Sequence, residues 1–312
     1  MPEALPVTVE VDGHRLRLSN LDKVLYPDVG VTKAEVIDYY TRIAPAMLPH
    51  LAGRPLTLRR YPNGVAAQSF FEKNAPSHAP EWVRTVRLPV PGSTRDRDEI
   101  DYLVCDNLPT LVWVANLAAI ELHTPQWTVG PDDSVCGAGQ IVFDLDPGAP
   151  ATIAECCQVA VLLRELLDAD GLAGYPKTSG RKGLQLYAPV GEVDPRQASA
   201  YARELAVRLE RAHPDLVVSR MARSLRAGRV LIDWSQNNAA KTTVAPYSLR
   251  AQDSPTVSTP LRWDEVVSGP PLAHTAPQVL DRVRRHGDLF AGVLAGGAEP
   301  PGATPGPGTG RG

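Results

Sequence analysis

The chain is poor in features that would mark a membrane protein, a secreted protein or a uniformly nucleic-acid-coating protein. No apolar run approaches the roughly 20 residues that a bilayer-spanning helix needs. The N-terminus MPEALPVTVEVDG has no basic segment followed by an apolar one, so a cytoplasmic protein, at the nucleoid if it acts on DNA, is expected. Cysteine is scarce. Cys105, Cys136, Cys156 and Cys157 show no Cys-x-x-Cys spacing, which argues against structural zinc and for reduced, packed thiols. An excess of positive charge is missing too: the formal net charge is −3. Any nucleic-acid interface must therefore come from local patches. Two are present, Arg54, Arg59 and Arg60 in RPLTLRRYP and Arg220, Arg223, Arg226 and Arg229 in SRMARSLRAGR. Taken alone, each reads more readily as a solvated face. There is no internal repeat.

What is present is an ordinary globular composition, 312 residues with 43% hydrophobic and 21% charged, enough for one large domain or two modest ones. TKAE at Thr32–Glu35 is a capping box, followed by Val36, Tyr40, Ile43 and Met47 at helical spacing. RPLTLRRYP and VRLPVP read as strands, and NLPTLVWVANLAAIELH as one buried apolar helix. ATIAECCQVAVLLRELLDADG has a second capping box, Thr152 with Glu155, and Gly171 as its stop; DPRQASAYARELAVRLERAHP is a helix capped by Asp194. GLQLYAPV, DLVVSRM, RVLIDWS and TTVAPYSLR read as strands, and PQVLDRVRRHGDLFAGVL as a closing helix. The Pro/Gly-rich end, 296–312, is expected to be disordered. The irregular order predicts an α+β fold rather than a doubly wound sheet.

The chemistry concentrates in a few stretches. In IVFDLDPG an apolar strand delivers Asp144 and Asp146, two residues apart and so on one face, before Pro147-Gly148 ends it. Two carboxylates this close repel each other unless a cation lies between them. The plain alternative is a strand end whose aspartates cap a turn. RVLIDWSQNN repeats the pattern with Asp233. Three carboxylates on strand ends suit two divalent cations, Mg²⁺ or Mn²⁺ rather than zinc, as phosphoryl or nucleotidyl transfer requires. KTSGRKGLQLYAPV lies between them. Ser179, Gly180 and Gly183 would let backbone N–H groups approach an anion and Lys182 would add a charge. It lacks the spacing of a Walker A loop, and a surface hairpin competes with the phosphate reading. His123 in ELHTPQW packs or caps on one reading and donates to a phosphate on the other.

Together with LDKVLYP, VTKAEVIDYY, GRPLTLRRYPNG, FFEKNAP, SLRAGRVLIDWSQN, KTTVAPYSLRA and STPLRWDE, these motifs resemble, in order from about Asn20 to Leu294, the polymerase domain of bacterial ligase D in the archaeo-eukaryotic primase superfamily. The resemblance implies a primase-polymerase domain over 1–295, with an N-terminal α/β module to about 125 and an RRM-like catalytic core over about 126–295. It implies templated addition of nucleotides, ribonucleotides often preferred, at gaps and broken DNA ends in end joining, with manganese favoured. By the same resemblance, Asp144, Asp146 and Asp233 are metal ligands. His123, Ser179, Lys182 and Arg250 bind the nucleotide, chiefly its triphosphate, and Gln236 is a further active-site position. Arg226 is a basic residue near the catalytic centre. Phe70 and Phe71 stack on the template, and Lys23 and Lys33 hold a 5′-phosphate; from the residues alone, both lysines read as surface charges. Two adjacent phenylalanines on a strand cannot both face inward, which favours an exposed role. Stacking a base on an aromatic ring contributes roughly 1–3 kcal/mol with any base.

One departure stands out: Gln185 occupies a position where the family usually has histidine, so that an amide replaces an imidazole at the triphosphate. No adenylation lysine motif or nuclease follows, so sealing is expected from another protein or segment, with the end-binding protein Ku as a further partner. Two other readings compete. VFDLDPG also resembles the first motif of haloacid-dehalogenase-type phosphatases, but those normally follow the second Asp with Gly-Thr near the start of a domain. A non-catalytic DNA-end binding module would keep Lys23, Lys33 and the phenylalanines and leave the aspartates as relics.

Overall fold

The structure, a computed structural model, describes residues 6–89, 98–269 and 273–302. Its second half is built on a β-α-β-β-α-β unit. Strand Val135–Pro147 lies at the centre, flanked by Leu184–Val193 and by Val230–Asp233, both antiparallel to it. Tyr175–Thr178 pairs outside Leu184–Val193, and the short Val217–Val218 runs parallel to Val230–Asp233. Helices Ile153–Ala169 and Pro195–Ala212 cover one face. The alternation of a strand decides what they cover: Ile141, Phe143, Leu145, Leu184, Leu186 and Ile232 enter the core beneath the helices. Asp144, Asp146, Gln185, Tyr187 and Asp233 are left to the other face. Both helices begin as their sequences predict. Thr152 and Glu155 form a capping box, and so do Asp194 and Gln197. This is the mixed α+β architecture expected, with the carboxylates on the side of the sheet that these helices leave free.

The N-terminal half surrounds helix Lys33–Leu51, which the Thr32–Glu35 box opens. Val36, Tyr40, Ile43 and Met47 are all buried along its inner face. The helix packs on a sheet ordered Thr243–Val244, Ala119–Thr124, Pro55–Arg60, Glu99–Val104, Thr85–Pro89, with Phe70–Glu72 also paired to Pro55–Arg60. Chain order and space part company here. After Asp233 the chain crosses back, Val244 pairs with His123, and Tyr247, Leu249, Val257 and Val279 enter the N-terminal core. The side of the sheet that the helices leave free is therefore bordered by residues from both ends of the sequence.

Three elements differ from the sequence reading. NLPTLVWVANLAAIELH is not one helix: Leu108–Asn116 is helical, Ala118 takes φ 57°, and Ala119–Thr124 is a strand. TTVAPYSLR is not one strand, because Tyr247 at φ 66° divides Thr243–Val244 from Leu249–Ala251. The closing helix Ala276–His286 stops at Gly287, and a short 3₁₀ turn follows at Ala291–Ala295. The Pro/Gly-rich end begins against strand Leu184–Val193, where the Gly191 N–H donates to the Ala298 carbonyl at 3.2 Å; 303–312 lie outside the described residues.

Candidate active site

Register places the acidic residues. Asp144 stands directly opposite Asp233, and Asp146 lies two residues along the same strand, so all three carboxylates share the uncovered face. Asp144 is also opposite Gln185, which is opposite Lys177. One row of polar side chains thus crosses four strands. Burial, the Asp146 and Asp233 charges together push the Asp144 carboxyl up to about 7 from 3.8, against the hydrogen bond from Gln185. Asp233 is turned to its own loop. Its Oδ1 accepts from Ser235 N–H at 3.0 Å and from Ser235 Oγ at 2.5 Å, and its Oδ2 accepts from Gln236 Nε2 at 2.8 Å. Among the described residues no three acidic, histidine or cysteine side chains converge into a ready-made cage. The donor set nonetheless fits hard divalent cations: three half-buried carboxylates, one face, and a repulsion that a cation would relieve.

The Ser-Gly-x-Lys-Gly turn closes beside this row. Ser179 Oγ accepts from the N–H groups of Arg181 and Gly183, at 3.3 and 3.2 Å, and Lys182 Nζ donates to the Pro147 carbonyl at the end of the aspartate strand. Gly180 sits at φ +71°, where a Cβ would lie 2.5 Å from Arg250 Cγ and 2.8 Å from the backbone of Val257. Only glycine allows the turn to seat so close to Arg250. Arg226 joins from the other side. Its loop is tied to the aspartate strand by hydrogen bonds between Gly148 and both Gly228 and Arg229, and its guanidinium donates to the Met221 carbonyl at 2.6 Å.

The centre of the cationic wall was missed by the sequence reading. Glu121 is fully buried, and His123 Nε2 (3.1 Å), Arg59 (3.5 Å), Arg181 (3.3 Å) and Arg250 (3.6 Å) all surround its carboxylate. The Ala251 N–H adds a fifth contact at 3.1 Å. Burial alone raises the Glu121 pKa, but the His123 hydrogen bond and the Arg250 charge outweigh it and hold the group at about 2. His123 itself is pulled below its ordinary value, because desolvation exceeds what Glu121 returns. One carboxylate cannot neutralise three guanidinium groups. That surplus suits a polyanion. The missed signal was Glu121-x-His123: within a helix the two residues diverge, within a strand they share a face.

The neighbouring strand, Pro55–Arg60, carries the wall to the aromatic pair. Phe70 and Phe71 are 42% and 51% exposed, so neither is a core residue. Arg59 lies over Phe71 and Arg60 over Phe70, each 5.2 Å from the ring centre, and Phe71 meets His123 edge to face at 5.9 Å. Arg60 then lines a separate cavity of about 560 Å³ with Arg15, Arg17, Lys23 and Lys33, and no carboxylate lines it. Lys33 is buried, not on the surface; it donates to the Ser19 carbonyl at 2.7 Å, while Lys23 donates to Asn63 at 2.9 Å. Burial, Lys23 and Arg60 together lower the Lys33 pKa to about 8. The predicted site residues thus form one cluster around the three carboxylates and a detached lysine cavity, joined through Arg59 and Arg60, which point to opposite sides of their strand.

The family model for the LigD primase-polymerase domain matches residues 32–290. The chain belongs to this family. It is 50% identical over 279 residues to the multifunctional non-homologous end joining protein LigD of Mycolicibacterium smegmatis, covering 89% of this chain and 36% of that protein. The bifunctional non-homologous end joining protein LigD of Bacillus subtilis is 33% identical, with 88% and 44% covered. The chain therefore spans well under half the length of these LigD relatives. Among solved structures, the polymerase domain of Mycobacterium tuberculosis ligase D in complex with DNA superposes with a TM-score of 0.86 at 42% identity, covering 91% of this chain and 99% of that one. The LigD primase-polymerase fold is thus present over nearly its whole length.

Glu121 gives a direct check of the wall. Replacing it with alanine leaves the buried Arg250 guanidinium uncompensated beside the partly exposed Arg59 and Arg181, so a loss of about 3–5 kcal/mol is expected in denaturant titration. The sign in pH follows from the depressed pKa: the contribution of Glu121 is complete above its ordinary 4.5 and is lost as pH falls through about 2. An unchanged denaturation midpoint in E121A would remove Glu121 from this role.

Proposed function

We propose that this chain is a template-dependent nucleotidyltransferase that adds ribo- or deoxynucleotides to DNA primer ends and fills gaps at broken ends in non-homologous end joining. The observation that carries the reading is the single face on which Asp144, Asp146 and Asp233 stand beside the hydrogen-bond donors and cations His123, Ser179, Lys182 and Arg250. Within the family, and with a relative solved in complex with DNA, that face is best read as a place where a primer 3′ end meets a nucleoside triphosphate. Asp144, Asp146 and Asp233 would hold two divalent cations, Mn²⁺ or Mg²⁺. When bound, these would acidify the attacking hydroxyl and neutralise the leaving pyrophosphate.

The protein's own residues supply the rest. Arg250 and His123, fixed by Glu121, present donors to the triphosphate from one side, and the Ser179–Gly183 turn does so from the other. Gln236, bonded to Asp233, keeps that carboxylate oriented between the two. Phe70 and Phe71 offer exposed rings to an unpaired template base, and the cations behind them hold its backbone. Lys23 and Lys33 bind the 5′-phosphate on the far side of the gap. Ligation falls to a separate DNA ligase activity, and Ku serves as the end-binding companion at the nucleoid. No helix among the described residues is long and apolar enough to cross a membrane.

The deciding experiment is primer extension on a gapped duplex with a 5′-phosphate, run with Mn²⁺ and each nucleoside triphosphate in turn. Templated addition of the complementary nucleotide supports the reading. DNA binding without any addition favours a non-catalytic end-bridging module. A phosphoaspartyl intermediate would favour the phosphatase reading, against which stands the placement of Asp144 mid-sheet beside Asp233.

A further inference from the structure

The polar row across the catalytic sheet begins with a lysine that the reaction as described does not use. Lys177 is fully buried, and its Nζ donates to Gln185 Oε1 at 2.5 Å, Ser258 Oγ at 2.6 Å and the Val244 carbonyl at 3.1 Å. Ser258 spends its own proton on the Thr178 carbonyl at 3.0 Å, so it can only accept from Lys177. A carbonyl can only accept as well. Three acceptors around one nitrogen require three N–H groups, which only the ammonium form has. Burial and Arg250 pull the Lys177 pKa well below its ordinary value against the opposing charge of Asp144, so the ammonium form stands on these three acceptors. The Tyr187 ring, 5.4 Å from the nitrogen, adds a favourable quadrupole.

The ammonium leaves Gln185 one orientation. Its oxygen faces Lys177, and its nitrogen therefore faces Asp144, whose Oδ1 it meets at 2.9 Å. A flipped amide would set N–H groups against the ammonium and an oxygen against the carboxylate, in surroundings where both contacts are costly. We propose that Lys177 is a positioning residue of the nucleotidyl-transfer site: it locks the Gln185 amide, and the amide holds the Asp144 carboxylate in the orientation that receives a divalent cation. The inference rests on the polymerase reading of this site and changes the expectation for Gln185. The amide is engaged inside the protein, between Lys177 and Asp144, instead of at the triphosphate. A neutral imidazole can make the same two bonds, one nitrogen accepting and the other donating, so glutamine and histidine serve one purpose here. Leucine cannot do so.

The test compares Q185L, Q185H, K177M and the double variant K177M/Q185L by two readouts. One is kcat and KM for the nucleotide in Mn²⁺-dependent primer extension; the other is Mn²⁺ affinity of the DNA-free protein, from the electron paramagnetic resonance signal of free Mn²⁺. Loss of a group that orients a metal ligand typically costs about 10–100-fold in metal affinity or activity. Q185L and K177M are each expected to lower kcat and Mn²⁺ affinity within that range, with KM nearly unchanged. The double variant should be no worse than the weaker single, and Q185H should restore both readouts that Q185L loses. A raised KM with intact kcat in Q185L would place the amide at the triphosphate and overturn the proposal. So would additive losses in the double variant, or unaltered Mn²⁺ affinity in Q185L. Should K177M fail to fold, Q185L and Q185H decide. If the wild type shows no extension, the polymerase reading fails on its own, and the Mn²⁺ titration still judges the Lys177–Gln185–Asp144 row.

Discussion

Alanine at Asp144 or Asp146 is expected to remove nucleotide addition while leaving DNA binding close to wild type. The separation follows from the geometry. The two carboxylates share one face with Asp233, whereas Lys23, Lys33 and the exposed phenylalanines belong to the N-terminal half and touch none of them. Charge stabilisation by a bound cation amounts to several kcal/mol, which corresponds to roughly a thousandfold in rate. Loss of Asp144 should also ease the repulsion within the acidic row, so the variant is expected to melt at a higher temperature than wild type without metal, and the order should reverse at saturating Mn²⁺. The measurements are single-turnover extension, electrophoretic mobility on the same gapped duplex, and melting with and without Mn²⁺. Extension in either variant within about tenfold of wild type would sink the assignment of these carboxylates to catalysis.

The acidic site was legible because strands announce themselves twice. The alternation in IVFDLDPG and RVLIDWS fixes which residues share a face, and it does so whatever the rest of the fold is. The wall behind it was not legible, for a physical reason located at Ala118. Leu117-Ala118-Ala119 contains no glycine or proline, yet the chain reverses there through a positive φ, so the apolar run read as continuous helix. That misreading separated Glu121 from His123 and hid the group that anchors Arg59, Arg181 and Arg250. Tyr247 is a second break of the same kind, with φ 66° at a residue that does not favour it. The tertiary contacts hold it there: its side chain is buried, its hydroxyl donates to Asp288 at 2.5 Å, and its carbonyl accepts from Tyr39 at 2.8 Å. Lys33 was misjudged differently. The capping box correctly predicted the helix start, but nothing local reveals that the chain before it folds back and buries the first residue of that helix.

That burial sharpens what is expected of the lysine cavity. Replacing Lys23 and Lys33 together with alanine should cost at least about tenfold in affinity for a recessed 5′-phosphorylated end, since a charge-assisted contact contributes roughly 1.5–3 kcal/mol. The same variant should bind a 5′-hydroxyl end nearly as wild type does, and extension of a plain primer-template should hardly change. The cavity explains the selectivity: five cations and no carboxylate line it, so a dianion removes a like-charge repulsion that a hydroxyl leaves in place. The pH dependence carries the sign of that repulsion. Burial, Lys23 and Arg60 lower the Lys33 pKa from 10.5 to about 8. Below about 8 the ammonium is present and phosphate recognition should be complete; as pH rises above that value the phosphate-dependent part of the affinity should fade, and in the double variant it should be absent throughout. Rising salt should weaken wild-type binding along a steeper slope than the variant's. Fluorescence anisotropy on gapped DNA with and without the 5′-phosphate, at pH 7 and pH 9, reads all of these at once. A wild type indifferent to the phosphate, or a double variant that keeps the full preference, would mean that the lysines serve the fold alone and that the gap-filling reading loses its downstream anchor.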